Sequence, residues 1–354
     1  MFKVITLQDM QLWKETWGKL PQDQRSVYLL PEYYEIFEKL GYGEASCAIF
    51  SRGECLFLYP FLKRNLKKTN LLIGDKDYFD VEGAYGLNGA GAKSLEVHDK
   101  QEIEKAWEHY CNANHIIAEF VRFNPMLENN KFTPYLNPLA VSEVVVVDLT
   151  CADLMYESFE HSVRKNIKKA IKQNVIVNSF SCEELSTADF NDFIEIYYKT
   201  MDRNEAASFY YFRPEFFEMV KNLLPNNARW FIASVDGVLV SVELVLHDEN
   251  TCFSFLGGTL PEHFNSGANV LLKNEIIIYF QKNGLKSFFL GGGVSPNDGI
   301  LKYKKNFAKN SSYEFFIGKK VHMKTEYDNI VNKWEKNNPE KIEQYKNFLL
   351  KYWH

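Results

Sequence analysis

A chain of 354 residues is long enough for two domains. With 46% hydrophobic and 25% charged residues, its composition excludes a largely disordered protein. The net charge of −5 excludes bulk attraction to nucleic acid or anionic lipid, so any recognition of anions has to be local. Aromatics reach 15%, enough for large cores and for an organic-ligand cleft. The six cysteines, Cys47, Cys55, Cys111, Cys151, Cys182 and Cys252, form no CxxC pair and no metal-ligand spacing. No metal is expected, and the thiols read as buried hydrophobes of a reducing compartment. The start, Met1 to Thr6, lacks the apolar core of a signal peptide, and no run is long enough to span a membrane. The expectation is a cytoplasmic protein with no transmembrane segment.

A helical stretch through Trp13 and Trp17 opens the chain, and Pro31 starts a second helix that Gly41-Tyr42-Gly43 ends. Ala45 to Phe50 and Cys55 to Phe61 flank a turn at Ser51 to Glu54 and predict a hairpin. Phe79 to Ala92 is so rich in glycine that it reads as a loop rather than a strand. A helix from Asp99 to Asn114 and a strand from Ile116 to Phe123 follow. The β-branched run Val144 to Val147 predicts a strand, and Ser158 to Gln173 a helix crowded with Arg164, Lys165, Lys168, Lys169 and Lys172. Strand Val175 to Phe180, a helix through Asp192 to Tyr198 and a helix from Phe212 to Leu224 come next. Three strands follow, Trp230 to Val235, Val238 to His247 and Cys252 to Leu256, then a helix from Ala268 to Lys282. A short strand ends at Leu290, before Gly291-Gly292-Gly293 and the basic segment Lys302-Tyr303-Lys304-Lys305. From Lys324 the chain is charged and helical to its end.

Some residues suggest chemistry by themselves. A strand followed by a glycine turn and clustered lysines can present cations at the carboxyl end of a sheet. Arg164 with Lys168, and Lys165 with Lys169, share one helix face that could hold phosphates or simply meet water. Arg122 and Arg203 sit beside aromatic residues at element ends, where a guanidinium can pair with a carboxylate or phosphate, or form a structural ion pair. Ser241, Glu243 and His247 alternate on one strand face; Glu243 is a candidate general base, while the simpler reading is a wet face of an antiparallel sheet. The two halves of the chain echo each other in element order, which suggests two similar modules.

Ser162-Val163-Arg164-Lys165-Asn166-Ile167-Lys168-Lys169-Ala170, followed by Asn174-Val175, resembles the signature helix of the Fem-like transferases, two-module members of the GNAT superfamily that include the bacterial peptidoglycan bridge enzymes. Further matches keep the family's order: Asp80…Tyr85-Gly86…Gly89, Arg122-Phe123-Asn124-Pro125, Thr200-Met201-Asp202-Arg203, Gly257-Gly258, and Gly291-Gly292-Gly293…Asp298…Tyr303-Lys304…Phe307. They cover the chain from Asp80 to Phe307. The Arg-Phe-Asn-Pro element is more similar to members found with surface-polysaccharide genes than to the bridge enzymes.

The resemblance implies an α/β fold with mixed sheets: two GNAT-like modules side by side, 1–147 and 148–322, and a helical tail, 323–354, packed on the body. It implies an acyl- or aminoacyltransferase that forms an amide on an amine of a cell-envelope or surface-polysaccharide precursor. Glu243 would act as base, while Asp80, Tyr85, Arg122, Arg164, Lys168, Arg203 and Lys304 would bind substrate. Backbone amides at Gly257, Gly258, Gly291 and Gly292 would hold the oxyanion. No cofactor would be tightly bound, the donor being acetyl-CoA or an aminoacyl-tRNA. The partners implied are a small or lipid-linked glycan precursor, tRNA if it is the donor, and peripheral contact with a membrane. The loop Phe264-Asn265-Ser266-Gly267-Ala268-Asn269 departs from the Q/R-x-x-G-x-G/A pattern of acetyl-CoA users, so conventional CoA binding is not expected there. No coiled-coil insertion of long paired helices is visible. Two alternatives stay open: an acetyl-CoA-dependent N-acetyltransferase acting on an amino sugar, and a non-catalytic GNAT-like protein that grips a glycan precursor.

Overall fold

The chain begins on a strand, β1 (Phe2–Thr6), where apolar side chains alternate with Lys3; only then does helix α1 (Met10–Gly18) form. The computed structural model describes residues 1–71, 76–150, 156–293, 298–308 and 311–354. Helix α2 (Pro31–Lys39) starts at its proline as expected and buries Tyr33, Tyr34, Ile36 and Phe37. The hairpin β2 (Glu44–Arg52) and β3 (Cys55–Asn65) runs in register from Glu44 opposite Lys63 to Arg52 opposite Cys55. The stretch expected to be a loop holds two short strands, β4 (Phe79–Glu82) and β5 (Gly91–Lys93). Its acidic residues could join a sheet because Arg64 on β3 pairs with both Asp80 and Glu82. Helix α3 (Val97–Ala113) opens with a reciprocal cap between Glu96 and Asp99, and β6 (Ile116–Arg122) then lies parallel to β4.

The β-branched run expected as a strand is the buried half of β7 (Leu139–Asp148). Helix α4 (His161–Lys172), β8 (Ile176–Phe180), α5 (Thr187–Arg203) and α6 (Pro214–Leu223) lead into the meander β9 (Ala228–Val235), β10 (Val238–His247) and β11 (Thr251–Thr259). Helix α7 (Ala268–Lys282), β12 (Ser287–Gly291) and α8 (Gly299–Lys305) follow. Residues 294–297, part of the glycine-to-lysine stretch, lie outside those described. A strand not expected from the sequence, β13 (Ser312–Val321), pairs antiparallel with β6 from Ile317 opposite Arg122 to Val321 opposite Ala118. The C-terminal segment is helical in α9 (Lys324–Asn337), then breaks into single turns around α10 (Ile342–Tyr345).

Contacts divide the chain into Met1–Val141 with Phe315–His354, here unit 1, and Ser142–Glu314, unit 2. The expected boundary lay at 147/148 with 323–354 set apart as a tail; the structure groups that segment and most of β13 with unit 1. In unit 1 the strand order is β1-β2-β3-β4-β6-β13, and in unit 2 it is β7-β12-β11-β10-β9-β8. Both sheets are mixed. In unit 2 only β11 and β12 run parallel, and β12 meets β7 antiparallel. Strand β9 shows how both faces are filled. Phe231 and Ala233 join a core with Val163 and Ile167 of α4 and Ile276, Ile277 and Phe280 of α7. Trp230 turns the other way, with its ring 4.7 Å from Phe193 of α5 and 6.4 Å from Phe217 of α6. The five described cysteines are buried free thiols; Cys151 lies outside the described residues. No described helix is long and apolar enough to cross a membrane.

Unit 1 closes on its C-terminal segment. Ile330, Trp334 and Tyr352 pack with Leu66, Leu71, Ile117 and Ala118, and the Trp353 indole donates to Asp80 at 2.6 Å. Trp334→Ala is expected to cost unit 1 about 3–5 kcal/mol through the cavity left behind. The measurement is the urea midpoint; an unchanged value would mean that α9 is not part of this core.

Candidate functional site

Strands β11 and β12 pair only from Thr251 opposite Ser287 to Phe253 opposite Phe289. Beyond that point β11 continues to Thr259 on its β10 side alone, in a ladder that skips Phe255, so the parallel pair opens. Such an opening leaves backbone groups available to an extended ligand. Around it lie three ionised side chains. Glu243 of β10 is buried and ion-paired with Lys273, which reaches across from α7 and also donates to the Ser254 hydroxyl of β11 at 2.7 Å. Lys304 of α8 donates to the Gly292 carbonyl at 2.7 Å. Burial first, and Lys273 second, lower the Lys304 pKa to about 8, against the opposing pull of Glu243 and Asp298. Burial and then Glu243 raise that of the neighbouring Tyr303 phenol. One carboxylate thus serves two lysines.

The glycine turn has local causes. Gly291 takes a positive φ of 77°, and a side chain at Gly293 would run into the Asp298 carboxylate, whose Oδ1 accepts from the Leu301 amide to start α8. A side chain at Gly292 would meet the Glu143 carbonyl. Of the neighbouring lysines, Lys302 is exposed and Lys305 pairs with Glu143 at 2.5 Å. Gly257 and Gly258 sit close to β10 and to α5 respectively, and the Thr259 amide donates to Thr200 of α5 at 3.1 Å.

The expected wet face of β10 is corrected: Ser241 and Glu243 are buried, because α7 covers that side. His247 packs on Phe280 of α7, and burial lowers its pKa to about 4, so it is neutral. Arg203 holds the Thr259 carbonyl at 2.7 Å and lies over the Phe264 ring. Arg164 and Lys168 face a different space, a groove along α4. In unit 1, Asp80 is fully buried and held by Arg64 and Trp353, while Arg122 pairs with Glu82 at 2.8 Å and donates to the Gly86 carbonyl. The Tyr85 carbonyl accepts from Tyr33. Within unit 2 the structure therefore joins Glu243 and Lys304 and adds Lys273 and Ser254, while Asp80 and Arg122 belong to unit 1. Lys273 was missed, although a lone lysine after Val270-Leu271-Leu272 and before Ile276-Ile277-Ile278 is an audible signal.

The start of α7 is where a GNAT pyrophosphate would rest, and the residues there do not fit it. Ser266, Gly267 and Ala268 are buried; the Ser266 hydroxyl accepts from the Ala268 amide at 3.1 Å. A Cβ on Gly267 would stand 2.8 Å from the Asn166 carbonyl of α4. The Gly267 amide donates to the Phe264 carbonyl and the Ala268 amide to the Ser266 hydroxyl, so neither is free to meet the phosphates. Gly267→Ala combines that collision with a φ of 75°, so it should destabilise unit 2 by about 1–3 kcal/mol, read as a lower urea midpoint. A neutral result would mean that α4 can lift off this helix start.

Residues 159–305 match the model of the acetyltransferase (GNAT) domain family. No curated protein matches the sequence significantly. Among solved structures, FemX is similar at a TM-score of 0.67 and 12% identity, over 93% of this chain and 99% of that one. The C-terminal domain assigned to a lysylphosphatidylglycerol synthetase of Agrobacterium fabrum is similar at 0.55 and 10% identity, over 94% and 96% of the two chains. A tandem GNAT protein from the clavulanic acid biosynthesis pathway is similar at 0.50 and 7% identity, over 90% and 98%. Residues 159–305 thus match a GNAT acetyltransferase domain, in a chain whose fold is similar to that of FemX.

Proposed function

We propose that unit 2 transfers an acyl or aminoacyl group to an amine, forming an amide on a cell-envelope or surface-polysaccharide precursor. The observation that carries this reading is Lys304, a lysine with a pKa near 8 held on a glycine turn beside the opened strands of a GNAT domain. Amide formation from an activated ester or thioester needs aligned reactants, a deprotonated amine and donors for the oxyanion. Neutral Lys304 takes the proton from the attacking ammonium. The nitrogen then bonds to the donor carbonyl carbon, the C–S or C–O bond breaks, Lys304 passes its proton to the leaving group, and the second proton of the bonded nitrogen is released to solvent. Glu243, first expected as the base, serves in this reading with Lys273 as a positioning pair that sets the charge of Lys304. The glycine-rich ends at Gly257-Gly258 and Gly291-Gly292 are the candidate oxyanion amides. Arg203, at the end of β11, is the candidate contact for an acceptor carboxylate or phosphate.

Between the donors, the domain match favours an acyl thioester over an aminoacyl-tRNA. Because the Gly267 and Ala268 amides already have local acceptors, this reading seats the pyrophosphate elsewhere on unit 2. The envelope acceptor is supported by the fold shared with FemX and by the resemblance of Arg122-Phe123-Asn124-Pro125 to members found with surface-polysaccharide genes. Asp80, Tyr85 and Arg122 belong to unit 1, where their contacts suit a structural role.

Turnover of an acyl thioester with an amino-sugar acceptor should rise with pH and level off above about 8, as Lys304 loses its proton. Lys304→Met should lower kcat/KM by about 10²- to 10⁴-fold. Glu243→Gln removes an anion and should move the rising limb to lower pH, whereas Lys273→Met removes a cation and should move it higher. NMR titration of the lysine ε-carbons gives the same shifts without turnover. Full activity in Lys304→Met, or equal shifts in the two neighbour variants, would overturn the assignment.

A further inference from the structure

Helix α4 is amphipathic, and its apolar side is fixed. Val163, Ile167 and Ala170 are buried in the unit 2 core, so the opposite side must face out. Arg164, Lys165, Lys168, Lys169 and Lys172 line a groove of about 880 Å³ together with Tyr156, Glu157 and His161. The concavity has a second wall because the segment before α4 is tied back: Arg164 donates to the Glu157 carbonyl at 3.1 Å and the Tyr156 hydroxyl reaches the Arg164 carbonyl at 3.5 Å. Five permanent cations share this groove with one carboxylate, Glu157. Among the described residues Lys165, Lys168, Lys169 and Lys172 form no ion pair, in a chain whose net charge is −5. A cluster of that kind repels itself unless an anion joins it.

The shape selects the anion. Successive cations on one face, Arg164, Lys168 and Lys172, climb about 6 Å per step, which suits adjoining phosphates. A membrane surface is flat and would not enter a groove. The ring of Tyr156, 39% exposed beside the cations, offers a face for an aromatic base. The same helix that lines this groove packs its Asn166 carbonyl against Gly267, at a helix start whose Gly267 and Ala268 amides already have local acceptors.

We propose that the α4 groove binds the pyrophosphate of a nucleotide-type ligand, with Arg164 and Lys168 on the phosphates and Tyr156 against the base. The proposal rests on the acyl-transfer reading only in supplying a place for the anionic end of the donor or of a nucleotide-linked acceptor. Both sources share the nucleoside pyrophosphate, and the experiment separates them.

Calorimetry on the full chain with inorganic pyrophosphate, ADP, UDP and CoA is expected to show binding by the nucleotides that weakens as salt rises. CoA binding points to the donor, and UDP binding in preference to ADP and CoA points to a nucleotide-linked acceptor; either result supports the groove if Lys168→Glu weakens it at least tenfold. Lys168 is exposed, so this variant should keep the wild-type urea midpoint. Lys304→Met should leave nucleotide binding intact even if it abolishes turnover, so failure of one proposal is distinguishable from failure of the other. The proposal is overturned if nucleotide binding is absent, if it ignores Lys168→Glu and Arg164→Ala, or if only an RNA oligonucleotide or anionic vesicles bind in an α4-dependent way.

Discussion

The buried pairing of Glu243 with Lys273 is the constraint on which unit 2 depends. Neither ion can leave water alone; a buried charge without its partner costs several kcal/mol. Lys273 therefore has to cross from α7 to β10, and α7 has to lie where its side chain can also reach Ser254 on β11. That single requirement sets the helix over the point where β11 skips Phe255 and then parts from β12. Lys304 arrives third. With the carboxylate already committed to Lys273, its ammonium gains only part of a counter-ion and takes the Gly292 carbonyl as its main partner. A lysine that is easy to deprotonate is the consequence of burial first, and second of a neighbouring cation that shares its one anion.

Unit 1 uses the same kind of group to a different end. Arg64 and Arg122 share Glu82, Arg64 also binds Asp80, and Trp353 completes the Asp80 shell from the C-terminal segment. Burial pushes Glu82 up, but the two guanidinium groups outweigh it and hold the carboxyl below its ordinary value. Glu119 is likewise enclosed by Tyr59, Trp107 and His322. Both oxygens of each of these three carboxylates have a partner. The polar groups of unit 2 leave a lysine near neutrality at an opened pair of strands, which is why chemistry is assigned there.

Elements whose burial is decided locally were legible in the sequence. Val144 to Val147 could only be a buried strand, and the apolar stripe Val163, Ile167, Ala170 forced α4 to turn its cations outward. Strand β13 was not legible, because Lys319 and Lys320 and a half-exposed pattern hide its alternation; pairing with β6 holds it instead. Strand β4 was hidden by its own acids, which Arg64, Arg122 and Trp353 make tolerable. Of the candidate site, Glu243 and Lys304 could be picked out by position. Their shared neighbour Lys273 stood out only as a lone lysine in an apolar run, and its link to the other two comes from the packing of α7 on the sheet.

The loop before α7 shows how a local departure becomes a change of ligand geometry. A residue pattern can say that Phe264 to Asn269 is unlike a phosphate loop, but it cannot say what replaced the phosphate. The structure supplies the occupants: the Phe264 carbonyl and the Ser266 hydroxyl take the Gly267 and Ala268 amides, and the Asn166 carbonyl of α4 packs against Gly267. With those two amides bonded locally, an anionic substrate meets fewer free donors there. The helix that delivers the carbonyl carries on its opposite side four lysines that form no ion pair among the described residues. Packing on one helix start and lining a groove are thus two faces of the same twelve-residue helix.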